Sequence, residues 1–214
     1  MSTLKRILCF GDSNTWGPDE AGNRLPEKDR WTGILAGLLG SGTIVIEEGL
    51  NGRAIVNDDV IEGRLSALRT LPDCLESHRP LNLVIIMLGT NDLKKRFSLT
   101  ARDIATGAGL LADMAMHRQF GAGGDAPKVL LVSPIHLSEK VRVGEFREIF
   151  AAESAATSRE LAFWFEQTAR LHGCAFLNAA DHASFGKHDG IHLDRAGHLA
   201  LADTLNETIV RLGI

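Results

Sequence analysis

The sequence predicts a three-layer α/β fold, in which helices cover both faces of a central five-stranded parallel sheet. Short apolar runs recur along the chain, and three of them are nearly continuous in Val, Ile and Leu. Strands of that composition are buried on both faces, which is typical of parallel sheets covered by helices. Segments with helical periodicity separate the runs, and this alternation of strands and helices indicates the three-layer architecture.

The five predicted strands are bounded by glycine or polar residues. They cover residues 7–10, 44–46, 83–88, 129–132 and 174–177. The carboxyl ends of parallel strands meet at one edge of a sheet, where open α/β proteins bind their ligands. Two irregular segments, 18–30 and 134–144, follow such strand ends. We therefore expect both segments to lie at the rim of a binding site.

Helical periodicity predicts five helices between and after these strands. They cover residues 31–39, 65–75, 101–116 and 146–171, and a last segment after Asp194. Thr100 followed by Asp103 predicts a capping box at the start of the third helix. Asp194 is a good N-cap for the last helix, which places Leu201, Leu205, Ile209 and Leu212 on one face.

Length and composition favour one globular domain over residues 1–214. The chain is 44% hydrophobic and 23% charged, with no repeat or low-complexity tract. Its net charge of −4, without a basic stripe, argues against nucleic-acid binding. No apolar run approaches the roughly 18 residues of a membrane helix. The apolar run 7–10 is too short for the core of a signal peptide.

The cysteines indicate a reducing compartment. Cys9, Cys74 and Cys174 are odd in number and form no C-x-x-C pair. A disulfide framework is therefore not expected, and the sequence predicts a cytoplasmic protein.

Four polar stretches follow predicted strands and supply the groups needed for acyl transfer. They are residues 11–13 (GDS), 49–53 (GLNGR), 89–92 (GTND) and 189–192 (DGIH). The fold brings these stretches to one edge of the sheet, where they provide a hydroxyl, a glycine amide, a side-chain amide, an imidazole and a carboxylate. Those groups suit catalysis by a serine nucleophile.

These blocks, in this order and spacing, resemble the SGNH hydrolases, also called GDSL-type esterases. The resemblance covers nearly the whole chain and implies a flavodoxin-like fold. The strings GDSNTWG, RWTG, IEEGLNGR and LVIIMLGTND are most similar to the short-chain arylesterase and acyltransferase branch. Asn14 stands where the family often has leucine. We expect this difference to alter local packing or pocket polarity and to leave the mechanism unchanged.

The resemblance implies a role for each polar group. Ser13 would attack the ester, His192 would act as its base, and Asp189 would orient His192. The backbone N–H groups of Ser13 and Gly52 and the side-chain amide of Asn91 would form the oxyanion hole. No cofactor or metal is expected.

The implied substrates are short acyl esters, aryl esters among them, with acyl transfer to alcohols or peroxide as a further activity. An alternative is that the protein is a carbohydrate esterase, whose substrates are acetyl esters of sugars. Another is that it binds carbohydrate without catalysis. Tentative substrate-binding residues are Asp12, Asn14, Trp16 and Arg53, although Trp16 could equally pack beneath segment 18–30. Asp12 and Asp92 each follow a strand, which favours a capping role.

Other patterns have simpler explanations. A metal site among His182, His188, His192 and His198 is disfavoured because no zinc motif is present. The basic run 94–96 predicts a solvated loop, with binding of an acidic leaving group as the alternative. Phe146, Ile149 and Phe150 are expected in the core or rim. The aromatic triplet 163–165 cannot face one core, so at least one ring is expected to contact another element, a groove within the monomer or another subunit. Together with the family resemblance, the triplet favours a homo-oligomer.

Overall fold

The computed structural model describes residues 4–214, apart from the side chains of residues 142 and 145, so residues 1–3 of the predicted domain lie outside it. One parallel sheet has the strand order β2-β1-β3-β4-β5, and all five predicted strands are confirmed. They are β1 (Lys5–Gly11), β2 (Thr43–Gly49), β3 (Leu83–Met87), β4 (Lys128–Ser133) and β5 (Ala175–Asn178).

Within residues 4–214, six α-helices accompany the sheet, and five of them were predicted. They are α1 (Ser13–Trp16), α2 (Trp31–Leu39), α3 (Ala67–His78), α4 (Ala101–Ala115), α5 (Ser154–His172) and α6 (Arg195–Arg211). The predicted capping box of Thr100 and Asp103 is present, and the Asp194 side chain caps α6. The short helix α1 was not predicted, because four residues carry no helical period.

Alternate residues of each strand face opposite layers, as the pleat of a strand requires. Leu8 and Phe10 of β1 join one core beneath α3, α4 and α5, whereas Ile7 and Cys9 join a second core beneath α2 and α6. The central strands β1, β3 and β4 are therefore apolar on both faces, which explains their nearly continuous hydrophobic sequences.

The start of α5 differs from the prediction of a helix over 146–171. The observed helix begins at Ser154. Lys95 N–H donates to the Ile149 carbonyl at 2.9 Å, and Phe150 forms an antiparallel bridge with Lys94. Because residues 149–150 pair with residues 94–95, they are not part of the helix. The hydrophobic periodicity of residues 146–171 does not predict that contact.

The register of the sheet fixes the place of the functional loops. Gly11 at the end of β1 lies level with Gly49 of β2 and Met87 of β3. Connections from β1 and β3 leave toward opposite faces, so a crevice opens between these two strand ends. Within residues 4–214, no helix combines the length and apolar character needed to cross a membrane.

Candidate active site

Ser13 lies at the first position of α1, directly beyond the end of β1. The Asp12 side chain accepts a hydrogen bond from the Asn14 N–H at 2.9 Å, so Asp12 caps α1 as predicted. The Asp12 carboxyl is buried, and this burial raises its pKa above the ordinary value. Asp12 is not among the described residues that line the cavity beside Ser13. The tentative assignment of Asp12 to substrate binding is therefore not supported.

A continuous line of polar contacts joins Ser13, His192 and Asp189. Ser13 Oγ lies 2.8 Å from His192 Nε2, and His192 Nδ1 lies 2.5 Å from Asp189 Oδ2. Burial alone would raise the pKa of Asp189, but the hydrogen bond and charge of His192 outweigh it and hold that pKa well below its usual range. An ionised Asp189 accepts a hydrogen bond from the Nδ1–H of His192, so the unprotonated Nε2 can accept a hydrogen bond from the Ser13 hydroxyl.

Hydrogen bonds to Asp189, inside the turn, and from Ser138, outside it, stabilise the turn that carries His192. Asp189 Oδ1 accepts hydrogen bonds from the backbone N–H groups of Ile191, at 2.8 Å, and His192, at 3.0 Å. Gly190 has a φ of +76°, and a Cβ at this position would lie 2.5 Å from Ser138 Cβ. The Ser138 N–H donates to the Gly190 carbonyl at 2.8 Å. Only glycine suits this contact and backbone conformation.

The three predicted oxyanion donors border one cavity of about 290 Å³, together with Ser13 Oγ and His192. Neither Ser13 N–H nor Gly52 N–H donates to a protein acceptor within residues 4–214. Gly52 has a φ of +81°, and a Cβ there would lie 2.7 Å from Glu62 Oε2. The loop thus requires glycine, and it leaves the Gly52 amide available to a ligand.

Apolar side chains also line the cavity. Phe146, Ile149, Phe150 and Ile191 line it, and the Phe146 ring lies 6.2 Å from the His192 ring in an edge-to-face arrangement. Phe150 is buried in the core and Phe146 and Ile149 pack against it, so these residues lie in the core and at the rim of the cavity, as expected. Segment 18–30 does form part of the rim, through residues 18–20 and 22.

A family model described as the GDSL-like lipase/acylhydrolase family matches residues 9–200. The chain belongs to this family. A comparison with curated sequences gave no significant match. The assignment confirms the SGNH resemblance and supports an ester hydrolase.

Solved structures of this GDSL-like family superimpose on nearly the full chain. An aryl esterase from Mycobacterium smegmatis is 41% identical, with 97% of this chain and 99% of that chain covered and a TM-score of 0.89. Two carbohydrate acetylesterases from Sinorhizobium meliloti are 37% and 33% identical, with TM-scores of 0.87 and 0.91. The alignment with the first covers 97% of this chain and 99% of that chain, and the alignment with the second covers 99% of this chain and 100% of that chain.

In this GDSL-like chain, Asn14 holds the backbone on both sides of His192. Its amide donates to the Ile191 carbonyl at 3.3 Å, and its oxygen accepts the Leu193 N–H at 2.9 Å. Asn14 is buried and absent from the cavity wall among the described residues. The tentative assignment of Asn14 to substrate binding is therefore replaced by a structural role.

Arg53 is also placed away from the ligand. Its guanidinium donates to the Gly11 carbonyl at 2.9 Å and to the Glu48 carbonyl, and it stacks 4.1 Å from the Phe10 ring centroid. Burial lowers the pKa of this guanidinium. Arg53 thus ties the ends of β1 and β2 together, and its assignment to substrate binding is wrong because the side chain points into the fold.

Trp16 packs beneath segment 18–30, the alternative that the sequence left open. Its carbonyl accepts the Arg24 Nε–H at 2.9 Å, and the Arg24 guanidinium lies 5.7 Å from its ring centroid. Trp16 is not among the described residues that line the cavity. It supports the rim and does not contact the space where an ester would bind.

Asp92 does not cap its own turn, contrary to expectation. Its buried carboxylate accepts backbone N–H groups of Ile55, at 2.9 Å, and Val56, at 3.2 Å. Burial raises the pKa of Asp92 to about 6, even though these hydrogen bonds oppose the rise. The side chain connects the turn that bears Asn91 to the segment that follows Gly52.

Glu62 is a site residue that the sequence did not reveal, and Lys94 lies beside it. Both line the cavity, and Lys94 Nζ lies 2.7 Å from Glu62 Oε2 and 2.9 Å from Asp59 Oδ2. The predicted solvated loop is therefore wrong for Lys94, whose side chain is only 3% exposed. Its acidic partners are more than thirty positions away in the sequence, so no local sequence pattern predicts the contact.

The histidines near the carboxyl end are dispersed. His188 and His192 line the cavity, whereas His198 is buried against Trp31. Within residues 4–214, no group of three or more His, Cys, Asp or Glu side chains is arranged to hold a metal ion.

A second cavity of about 680 Å³ adjoins the first and shares His192, Asp189 and His188 with it. Its other walls come from segment 18–26 and from residues 186–187 and 193–196. Lys187 and Arg195 add positive groups to this wall, and Asp19, Glu20 and Asp194 add negative ones. The site therefore consists of a smaller space beside Ser13 and a larger one beside His192, and charged side chains of both signs line the larger space.

Proposed function

We propose that this protein is a serine esterase that uses Ser13, His192 and Asp189 as its catalytic residues. The observation that carries the proposal is the unbroken contact from Asp189 through His192 to Ser13, at 2.5 Å and 2.8 Å. A serine hydroxyl is a weak nucleophile unless a base accepts its proton, and this arrangement supplies both the base and its orienting carboxylate.

The reaction follows from these positions. Ser13 Oγ forms a bond to the ester carbonyl carbon while its proton passes to His192 Nε2. The ester C–O bond then breaks, and His192 returns the proton to the leaving alcohol. Water attacks the acyl-enzyme by the same route and releases the acid. Asp189 stays ionised and stabilises the protonated imidazole.

The oxyanion of each tetrahedral intermediate would be bound by the N–H groups of Ser13 and Gly52 and by the Asn91 amide. Their position around one cavity and their free N–H groups support this assignment. Loss of one such donor typically costs about 10²–10³-fold in kcat.

Short acyl groups, acetyl above all, are the proposed acid component. The cavity beside Ser13 has a volume of about 290 Å³, and Phe146, Ile149 and Phe150 line it. The likeness to an aryl esterase over nearly the full chain supports aryl alcohols as leaving groups. Alcohols or peroxide in place of water would give acyl transfer from the same acyl-enzyme.

The acetyl ester of a sugar is a second candidate substrate. The larger cavity beside His192 has room for such an alcohol and presents charged and polar side chains to it. The likeness to two carbohydrate acetylesterases supports the same candidate. The hydrolytic chemistry is unchanged, because only the alcohol differs.

Hydrolysis of p-nitrophenyl esters of increasing acyl length tests the proposal. We expect turnover that falls steeply beyond short chains, resists EDTA and is lost by at least about 10³-fold in Ser13→Ala. Circular dichroism should show that this variant is folded. Retained turnover in Ser13→Ala would contradict the assignment, and binding of sugars without any turnover would favour a carbohydrate-binding protein.

Comparison of phenyl acetate with an acetylated monosaccharide separates the two substrate classes. A higher kcat/KM for the sugar ester would favour the carbohydrate esterase, and a higher value for phenyl acetate the aryl esterase. We also propose a cytoplasmic location, which the three free cysteines support.

A further inference from the structure

Four charged side chains form an ion-pair cluster beside the proposed oxyanion hole, and the mechanism above does not use them. The cluster consists of Asp59, Glu62, Lys94 and Arg96. Lys94 Nζ contacts Asp59 at 2.9 Å and Glu62 at 2.7 Å. Arg96 contacts the same two carboxylates at 3.0 Å and 3.1 Å. The two positive and two negative charges balance.

The cluster joins the two segments that carry oxyanion donors. On one side, the Lys94 N–H donates to the Asn91 carbonyl at 3.2 Å and closes the turn of Asn91. On the other side, Asp59 pairs with Arg64 through two backbone hydrogen bonds of 2.8 Å and 2.9 Å. Arg64 Nε in turn donates to the Asn51 carbonyl at 3.0 Å, one residue before Gly52.

Glu62 places a negative charge next to the oxyanion hole. A Cβ built on Gly52 would lie 2.7 Å from Glu62 Oε2, so this carboxylate packs directly against the Gly52 backbone. A carboxylate so close to a developing oxyanion opposes catalysis unless a cation offsets it. Lys94 is the buried cation that contacts it, and both side chains line the cavity.

We propose that Lys94 is a positioning residue that fixes the Gly52 loop against the Asn91 turn and neutralises Glu62 beside the oxyanion. The inference rests on the proposed function, because it gives the cluster a role in the stabilisation of that intermediate. Burial would raise the pKa of Asp59, but its hydrogen bond and ion pair with Lys94 lower it, so this carboxylate remains a charged partner.

Lys94→Met tests the proposal, with phenyl acetate as substrate. The variant leaves Glu62 and Asp59 with Arg96 alone, and its kcat should fall about 10- to 100-fold, with a smaller change in KM. Lys95→Met is the matched control. That side chain is 48% exposed and its nearest carboxylate, on Glu148, lies 3.6 Å away at the surface, so wild-type kcat is expected.

The double variant Lys94→Met/Glu62→Gln separates charge from simple packing. Because the Glu62 charge is removed, kcat of the double variant should be about tenfold higher than that of Lys94→Met. If the cluster were purely structural, loss of a second partner would lower kcat further. A Lys94→Met kcat equal to that of Lys95→Met would overturn the proposal. So would a double variant no faster than Lys94→Met.

If Lys94→Met does not fold, Arg96→Met removes a more exposed cation from the same carboxylates. We then expect the kcat of Arg96→Met to be about threefold to tenfold below that of the wild type, and addition of Glu62→Gln to restore it. A wild-type kcat in Arg96→Met would overturn the proposal. Wild-type enzyme and Ser13→Ala are assayed alongside. Turnover by the wild type and none by Ser13→Ala would show that only the role of Lys94 had failed, whereas an inactive wild type would show that the esterase proposal itself had failed.

Discussion

At the scale of single residues, two histidines of similar sequence context have opposite environments. His192 lies between a hydroxyl and a carboxylate at the cavity, whereas His198 is buried in the first turns of α6. His198 Nδ1 accepts the Trp31 N–H at 3.3 Å, and its Nε2 has no partner among the described residues. Burial, with a contribution from the charge of Arg30, lowers the pKa of His198 to about 4.

This environment makes His198 a source of pH-dependent stability. Its pKa is near 6.5 in the unfolded chain and about 4 in the folded one, so below pH 6.5 the unfolded state binds the extra proton. The free energy of unfolding therefore loses up to about 3 kcal/mol from this group as the pH falls from 6.5 to 4.

His198→Asn should remove that loss, because asparagine keeps an acceptor near the Trp31 N–H and does not titrate. Urea unfolding of both proteins between pH 4 and 8 measures the effect. The difference between the two proteins isolates His198, since the raised pKa of Asp92 contributes with the opposite sign in both. A difference in unfolding free energy that is constant with pH would contradict this account.

At the scale of elements, the site depends on how α1 and the turn of His192 are held together. Asn14 bonds both neighbours of His192, and Ser138 supports the turn from the other side. The proposed nucleophile, Ser13, and the proposed base, His192, come from opposite ends of the chain, so these few contacts determine their separation.

Asn14→Leu is therefore expected to weaken the site even though leucine is common at this position in the family. The change leaves the Leu193 N–H and the Ile191 carbonyl buried without partners, at a cost of about 1–3 kcal/mol. We expect a lower melting temperature and a kcat reduced about tenfold through a displaced His192. Wild-type values of both would contradict the role assigned to Asn14.

The strands and motif blocks were predictable because each is a local signal. Buried parallel strands are continuous apolar runs, and Ser13, Asp189 and His192 follow them at recognisable blocks. The start of α5 and the burial of Lys94 were not predictable, because residues 149–150 pair with 94–95 and Lys94 pairs with Asp59 and Glu62. Such contacts exist only once the chain is folded.

The tentative binding residues failed for a related reason. Asn14 and Arg53 are polar and adjacent to the motif blocks, which made a ligand contact plausible from sequence. Both instead satisfy backbone groups at the ends of strands and turns, where buried carbonyl and N–H groups require partners. Polarity near a motif indicates that a side chain has a partner, but it does not tell whether that partner is a ligand.

At the scale of the whole molecule, large apolar side chains remain on the surface. Val60 and Ile61 are 86% and 76% exposed at the tip of the loop that also carries Glu62, and Phe163 is 57% exposed on α5. The other two aromatics of the triplet are covered: Phe165 is buried and Trp164 is partly buried beneath Arg102. Exposed apolar groups of this size often mark contacts between subunits.

We accordingly predict a homo-oligomer. Light scattering at micromolar concentration should give a mass above that of the 23.2 kDa chain, and Ile61→Lys should shift it toward the monomer. A single species of monomer mass for the wild type would contradict this prediction.

The most direct test of the central claim is covalent labelling with a serine-directed fluorophosphonate, read by intact-protein and peptide mass spectrometry. We predict one adduct per chain, located on Ser13, and none in Ser13→Ala. Asp189→Asn should lower the rate at which this adduct forms, because His192 loses the carboxylate that orients it. A wild-type protein that acquires no adduct, or acquires it at another residue, would contradict the assignment of Ser13 as an activated nucleophile.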